Sequence, residues 1–248
     1  MTIHAPSPSR PPKTAIVIAQ RIVADINRMG NVPGDRLPPE HSMLSQYGVS
    51  RGTLREALRF LELQGVIKLK PGPGGGPIVQ KPDSQSLEIA LTLMLQFEKA
   101  PYRSIAESRE GLEPILARLA AKRITPDLTE RLTQSVTVMR EKLADLPTFL
   151  EMNKVFHHVI AQASGNILLA NIINALLDLL DGSSIGVDYS RVRREAILEA
   201  HERVHDAIIA GDEDAAEQAM LDHIHEYLVY LERRHPEALE WPVVWRSF

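Results

Sequence analysis

Across residues 39–64 the apolar positions recur at helical spacing, with a break between two segments. Pro39 to Tyr47 suits a short helix, Gly48 interrupts it, and Ser50 is placed to cap a longer helix from Arg51 to about Gln64. Within that second helix Leu54, Leu58 and Leu61 fall four and three apart and line one buried face. Arg51, Gly52, Thr53 and Arg55 then lie in the first turn or just after it, free to point outward. After Gly65 the period changes to two: Val66-Ile67-Lys68-Leu69-Lys70, a Pro/Gly turn from Pro71 to Pro77, and Ile78-Val79-Gln80 predict a two-stranded hairpin. Helix, turn, helix and hairpin amount to a winged helix-turn-helix, assigned to residues 14–82.

Beyond Pro82 the period stays helical. Helices are predicted over Ser84–Phe97, Tyr102–Arg123, Pro126–Ala144, Pro147–Ser164, Ile167–Asp181, Arg191–Ala210 and Glu213–Arg234. Pro101, Pro126, Pro147, Gly165-Asn166, Gly182–Ser184 and Gly211-Asp212 separate them as breakers or caps. The expected fold class is mainly α: a winged head followed, over residues 83–240, by an antiparallel all-α bundle. The Pro-rich residues 1–13 are expected to be a disordered tail, and residues 241–248 a C-terminal tail.

Composition sharpens this division. The 248 residues include no cysteine, which removes disulfides and thiolate metal sites. The opening MTIHAPSPSRPPK has no apolar core of a signal peptide, and the most apolar stretch, Ile167 to Leu180, is interrupted by Asn171, Asn174 and Asp178. A cytoplasmic protein without a membrane span is expected. The net charge of −4 conceals an asymmetry, because residues 1–82 hold 11 Lys/Arg against 5 Asp/Glu while the remainder is acidic. A basic head meets phosphate, and an acidic body does not.

Double-stranded DNA is therefore the expected partner of the head. Arginine at a helix start can pair bidentately with guanine O6 and N7, and the unpaired N–H groups of that helix start favour a nearby phosphate, so Arg51 and Arg55 are the candidate base contacts. The Gly run in the hairpin is no nucleotide loop. It lacks the Gly-Lys-Ser/Thr ending, and Pro77 stands where a dinucleotide fingerprint starting at Gly72 needs its last Gly.

The bundle carries histidines on apolar faces. Asn153 and His157 are four apart, in line with Phe149, Phe156, Ile160 and Ser164; His201 lies among Ile197, Val204 and Ile208; His223 lies among Met220, Ile224, Tyr227 and Leu231. One such histidine is usually a hydrogen-bonded core residue. Three in one bundle, with one amide oxygen, would satisfy a divalent transition metal such as zinc or nickel.

Pro33-Gly34-Asp35-Arg36-Leu37-Pro38-Pro39-Glu40, Val49-Ser50-Arg51-Gly52-Thr53-Leu54-Arg55-Glu56-Ala57-Leu58 and the Gly-rich wing resemble the winged helix of GntR-family bacterial regulators. The resemblance implies an operator surface of Arg36, His41, Ser50, Arg51, Thr53 and Arg55, with Gly72 at the wing tip near the minor groove. His41 departs from the arginine that relatives usually carry there. Arg109-Glu110-Gly111-Leu112-Glu113-Pro114, Arg118-Leu119-Ala120-Ala121, Asn153 to Asn166, His201, Gly211-Asp212 and His223 resemble the FCD effector domain of the FadR-type branch. The metal set implied is Asn153, His157, His201 and His223, with Asn153 in place of the usual aspartate. Also implied are a small carboxylate effector, clamped by Arg109 unless that arginine merely pairs with Glu113, and a homodimeric repressor on an inverted-repeat operator.

Two other readings compete. His201-Glu202-Arg203-Val204-His205 matches the His-Glu-x-x-His motif of zinc peptidases, in which Glu202 would activate water, but an all-helical body offers no substrate-binding edge strand. A DNA-packaging protein without effector would use the basic head yet leave the acidic body without a purpose.

Overall fold

A computed structural model describes residues 14–72, 74–179 and 186–244. The expected tail over residues 1–13, the separators Gly182–Ser184 and residues 245–248 lie outside the described residues. The chain divides into two compact units, the first ending at Ser86 and the second beginning at Leu87.

In the first unit the helix-turn-helix comprises α2 (Glu40–Tyr47) and α3 (Arg51–Leu63). Gly48 ends α2 in the left-handed conformation, at φ 65°, and donates its N–H to the Leu44 carbonyl. The Ser50 Oγ then accepts the Thr53 N–H at 3.2 Å and starts α3, whose buried face is Leu54, Ala57, Leu58 and Leu61. A further helix, α1 (Thr14–Met29), packs on α3 through Ala15, Ile18, Ala19, Ile22 and Ile26. It has no counterpart among the elements predicted above, although Ile18, Ile22 and Ile26 repeat every four residues.

The wing pairs β1 (Ile67–Lys70) with β2 (Gly76–Val79), antiparallel, with Ile67 opposite Val79 and Lys70 opposite Gly76. Its turn is tighter than the Pro71–Pro77 turn predicted, because β2 begins at Gly76. Glycine permits this: a Cβ on Gly75 would collide with the Lys70 carbonyl, and Gly74 and Gly76 flank it at φ 73° and 121°.

The helix α4 (Gln85–Phe97) begins at the end of the first unit. The second unit then contains α5 (Tyr102–Arg123), α6 (Pro126–Glu141), α7 (Leu146–Ala163), α8 (Ile167–Leu179), α9 (Arg191–Ala210), α10 (Glu213–Arg234) and a short α11 (Pro236–Glu240). Side-chain oxygens of Thr125, Asp145, Ser190 and Asp212 cap α6, α7, α9 and α10, so each polar residue before a periodic run marks a real start. The structure shortens α6, which ends three residues before the predicted Ala144. The chain turns through an Asp145 N–H to Lys142 carbonyl bond and frees the Asp145 side chain to cap α7. The core between these helices is aliphatic with two phenylalanines, Phe149 and Phe156, fully buried. In it α5 packs against α7, α9 and α10, so residues from α5, α7, α9 and α10 can meet at one point.

Removing the Ser50 oxygen should leave the Thr53 N–H unpaired at the start of α3. Ser50→Ala is expected to destabilise the first unit by about 1 kcal/mol, read as a lower urea midpoint; an unchanged midpoint would show that the cap contributes nothing.

Candidate functional site

The first unit presents the expected DNA-binding residues as follows. Arg51 and Arg55 are exposed on α3. Arg55 Nε donates to Glu40 Oε2 at 3.1 Å, an exposed pair that a phosphate or a base edge can exchange at little cost. Thr53 is half-buried and its hydroxyl lies 3.0 Å from the Ser50 Oγ, so Ser50 and Thr53 act first on the geometry of the helix start. His41 is exposed on α2, and its carbonyl accepts the Ser45 hydroxyl. Arg36 reaches the wing, where Nη1 donates to the Gly74 carbonyl, and Gly72 is exposed at φ 91°. Arg59, one turn beyond Arg55 on the outward face, is also exposed; its i+4 spacing from Arg55 was the available signal.

The second unit brings three histidines from different helices to one point. His157 on α7, His201 on α9 and His223 on α10 are all buried, and one ring nitrogen of each lies within 4.8 Å of the others. The Nε2 atoms of His201 and His223 are 3.2 Å apart, and those of His223 and His157 are 3.4 Å apart. Phe156 stacks on His201 with centroids 3.8 Å apart and rings nearly parallel, which fixes the ring plane. His157 Nδ1–H donates to Glu113 Oε2 at 2.5 Å, which turns its Nε2 toward His223. Glu113 Oε1 in turn accepts from Arg109 Nε at 2.5 Å.

Charge in this centre is balanced by contact. Burial alone would raise the Glu113 pKa, but Arg109 and His157 outweigh it and hold the carboxyl below the usual carboxylate range. Burial pushes His201 well below the usual imidazole value, helped by the neighbouring His223 and His157. Burial likewise holds His223 down, with His157 adding to it, Glu113 opposing, and Arg109 and Arg193 contributing less. His201 and His223 are therefore held neutral, the form in which an imidazole binds a metal.

These residues pass a test of fit. Zinc held tetrahedrally by imidazoles at about 2.0–2.1 Å sets its ligand nitrogens about 3.3 Å apart; two of the three separations are 3.2 and 3.4 Å, and all lie within 4.8 Å. Lone pairs converging at that distance repel one another until a cation or a proton lies between them. Among the described residues the buried His201 Nδ1 has no hydrogen-bond partner, and stacking on Phe156 orients the ring. Beside the cluster lies a cavity of about 300 Å³, lined by Asn153, His157 and His223 and by Arg109, Tyr189, Ile197 and Tyr227. Asn153, one turn before His157, thus faces the same space, and Arg109 both pairs with Glu113 and borders the cavity.

The chain matches a model described as "Bacterial regulatory proteins, gntR family" over residues 14–75 and one described as "FCD domain" over residues 104–226. It is 32% identical over 217 residues to the "Putative L-lactate dehydrogenase operon regulatory protein" of Escherichia coli (strain K12), covering 84% of this chain and 82% of that one. It is 29% identical to the "HTH-type transcriptional regulator LutR" of Bacillus subtilis (strain 168), covering 77% of this chain and 89% of that one. A solved structure titled "Streptococcus agalactiae GntR" superposes with a TM-score of 0.68 at 27% identity, over 87% of this chain and 99% of that one. The chain belongs to the GntR family of bacterial regulatory proteins.

This GntR-family chain is a transcriptional regulator with an FCD domain, and not an enzyme. The geometry of the His-Glu-x-x-His motif agrees. His201 turns into the buried cluster, whereas His205 bonds Thr133 at 2.9 Å and Asp206 at 2.8 Å, and Glu202 is held by Arg140 at 2.8 Å. Among the described residues no helix is long and apolar enough to cross a membrane.

Sequence reasoning passed over the part Glu113 plays. It weighed that residue only as a partner of Arg109, and its contact with His157, 44 positions away, has no local signature. Glu113→Gln preserves the shape but removes the charge that orients His157, and it should weaken zinc binding by about 10–100-fold. His201→Ala should abolish binding, since only two imidazoles remain. Competition of the tagless proteins against a zinc chelator measures both, and wild-type affinity in either would remove that residue from the centre.

Proposed function

We propose that this regulator is a homodimeric repressor. Its heads grip the half-sites of a palindromic operator, and a small carboxylate, bound beside a divalent transition metal in the FCD domain, releases or remodels it. The observation that carries the effector half is the convergence of three imidazole nitrogens beside a 300 Å³ cavity that His157, His223 and Arg109 border. His157, His201 and His223 would hold the metal, with Asn153 facing the same space; zinc fits the spacing and nickel accepts the same donors. When bound, the metal supplies a positive centre for an anionic oxygen. Arg109, kept ionised by Glu113, adds a fork for the same group. A relative named for an L-lactate dehydrogenase operon supports a small carboxylate as the class of effector.

In the head Arg51 and Arg55 are the proposed base contacts. Arg36, His41 and Gly72 are assigned to backbone and wing contacts, and Ser50 and Thr53 to the helix start. One recognition helix reads too few base pairs for selectivity in a genome, which favours two heads on an inverted repeat. Effector binding would bias the bundle between two arrangements, and a coupling of about 1–3 kcal/mol changes operator affinity by about 5–150-fold. Action on DNA assigns the regulator to the bacterial cytoplasm, associated with the nucleoid when bound.

Footprinting on the DNA flanking the regulator's own coding region tests the head. A single short palindrome should be protected, and Arg55→Ala should lose that protection while keeping weak, salt-sensitive binding to any duplex. Uniform coating of the fragment would instead indicate a packaging protein, and an unchanged footprint would take Arg55 out of the base contacts.

A further inference from the structure

A second guanidinium stands close to the effector cavity and, among the described residues, has no carboxylate to neutralise it. Arg193, in the first turn of α9, is half-buried, and its Nε is shielded from solvent without a hydrogen-bond partner among the described residues. Among the described residues it forms no ion pair. It is held by stacking alone, with its guanidinium carbon 4.2 Å from the Tyr230 ring centroid and 5.7 Å from that of Tyr227. Tyr227 lines the cavity, and so does Ile197, one turn after Arg193 on α9. Glu226 is the carboxylate whose charge reaches Arg193, and it is exposed and lies 3.9 Å from Arg203. A cation partly removed from water and left uncompensated is costly to keep, and burial accordingly lowers the Arg193 pKa.

The remaining charges around the cavity do not answer this one. Arg109 is matched by Glu113, and Lys154, which lines the cavity, is matched by Asp178. The lining carboxylate Glu151 is exposed to solvent, where its charge is screened. The donors available to a metal are three imidazoles, which ligate as neutral groups, and the neutral amide of Asn153, so a divalent ion there would keep both its charges. A single carboxylate cancels half of that charge and leaves Arg193 as it was.

We propose that the effector is a dianion, a small dicarboxylate whose first carboxylate occupies the metal and Arg109 end of the cavity and whose second is bound by Arg193 between Tyr227 and Tyr230. This rests on the carboxylate reading above and narrows it: Arg193 is the residue that selects diacids over monoacids. Its stacked, desolvated guanidinium presents a planar fork to the distal carboxylate, while the two tyrosine rings limit its rotation.

Calorimetric titration of the zinc-loaded, full-length protein compares L-lactate with L-malate and 2-hydroxyglutarate, which keep the same 2-hydroxy acid head and add a distal carboxylate. At least one diacid should bind the wild type about tenfold or more tighter than L-lactate. In Arg193→Gln that advantage should vanish with L-lactate affinity unchanged, and Arg193→Lys should retain part of it. L-Lactate binding as tightly as both diacids, or equal losses for all three acids in Arg193→Gln, would overturn the proposal and leave the carboxylate reading standing. Failure of the zinc-loaded wild type to bind any of the three would overturn that reading and this proposal together.

Discussion

The bundle is organised around a buried chain of polar contacts, from Arg109 to Glu113 to His157 and on to the imidazoles of His223 and His201. An isolated charge at this depth would cost several kcal/mol, so no member can be kept without the next. Arg109 balances Glu113, Glu113 orients His157, and burial keeps His201 and His223 neutral. The aliphatic core supplies most of the cohesion, but an aliphatic core tolerates many packings. In this one α5, α7, α9 and α10 present these five side chains to each other.

That arrangement orders the centre in advance of a ligand. Stacking on Phe156 and the Glu113 hydrogen bond set the planes of two rings before any ligand arrives, so little ordering cost remains for a metal to meet. The cavity beside them is bordered by the same helices, so a ligand there touches α5, α7, α9 and α10 at once. A change in their relative positions is the kind of bistable shift that a regulator needs.

The head follows a different economy. Its small core leaves the recognition surface to exposed side chains, and the pair between Arg55 and Glu40 is weak enough to be exchanged for DNA. Glycine replaces side-chain packing in the wing, where Gly75 permits a turn that any Cβ would block. The net positive charge lies at this end of the sequence, whereas the bundle is acidic.

Local chemistry determined what the sequence alone could show. Capping residues, breakers and period placed most helices within a few residues, because a helix start depends on a side chain reaching an amide three positions away. The same 3.6-residue period revealed three histidines on apolar faces, and a long, specific motif pointed to the family. The first helix, the tight wing turn and the end of α6 were not legible, since each is decided by what the chain packs against or turns into. Only the tertiary structure joined Glu113 to His157, turned His205 away from His201, and stacked Arg193 on Tyr227 and Tyr230. These are contacts between residues far apart in sequence, and their energies depend on distance and burial, which no spacing along one chain encodes.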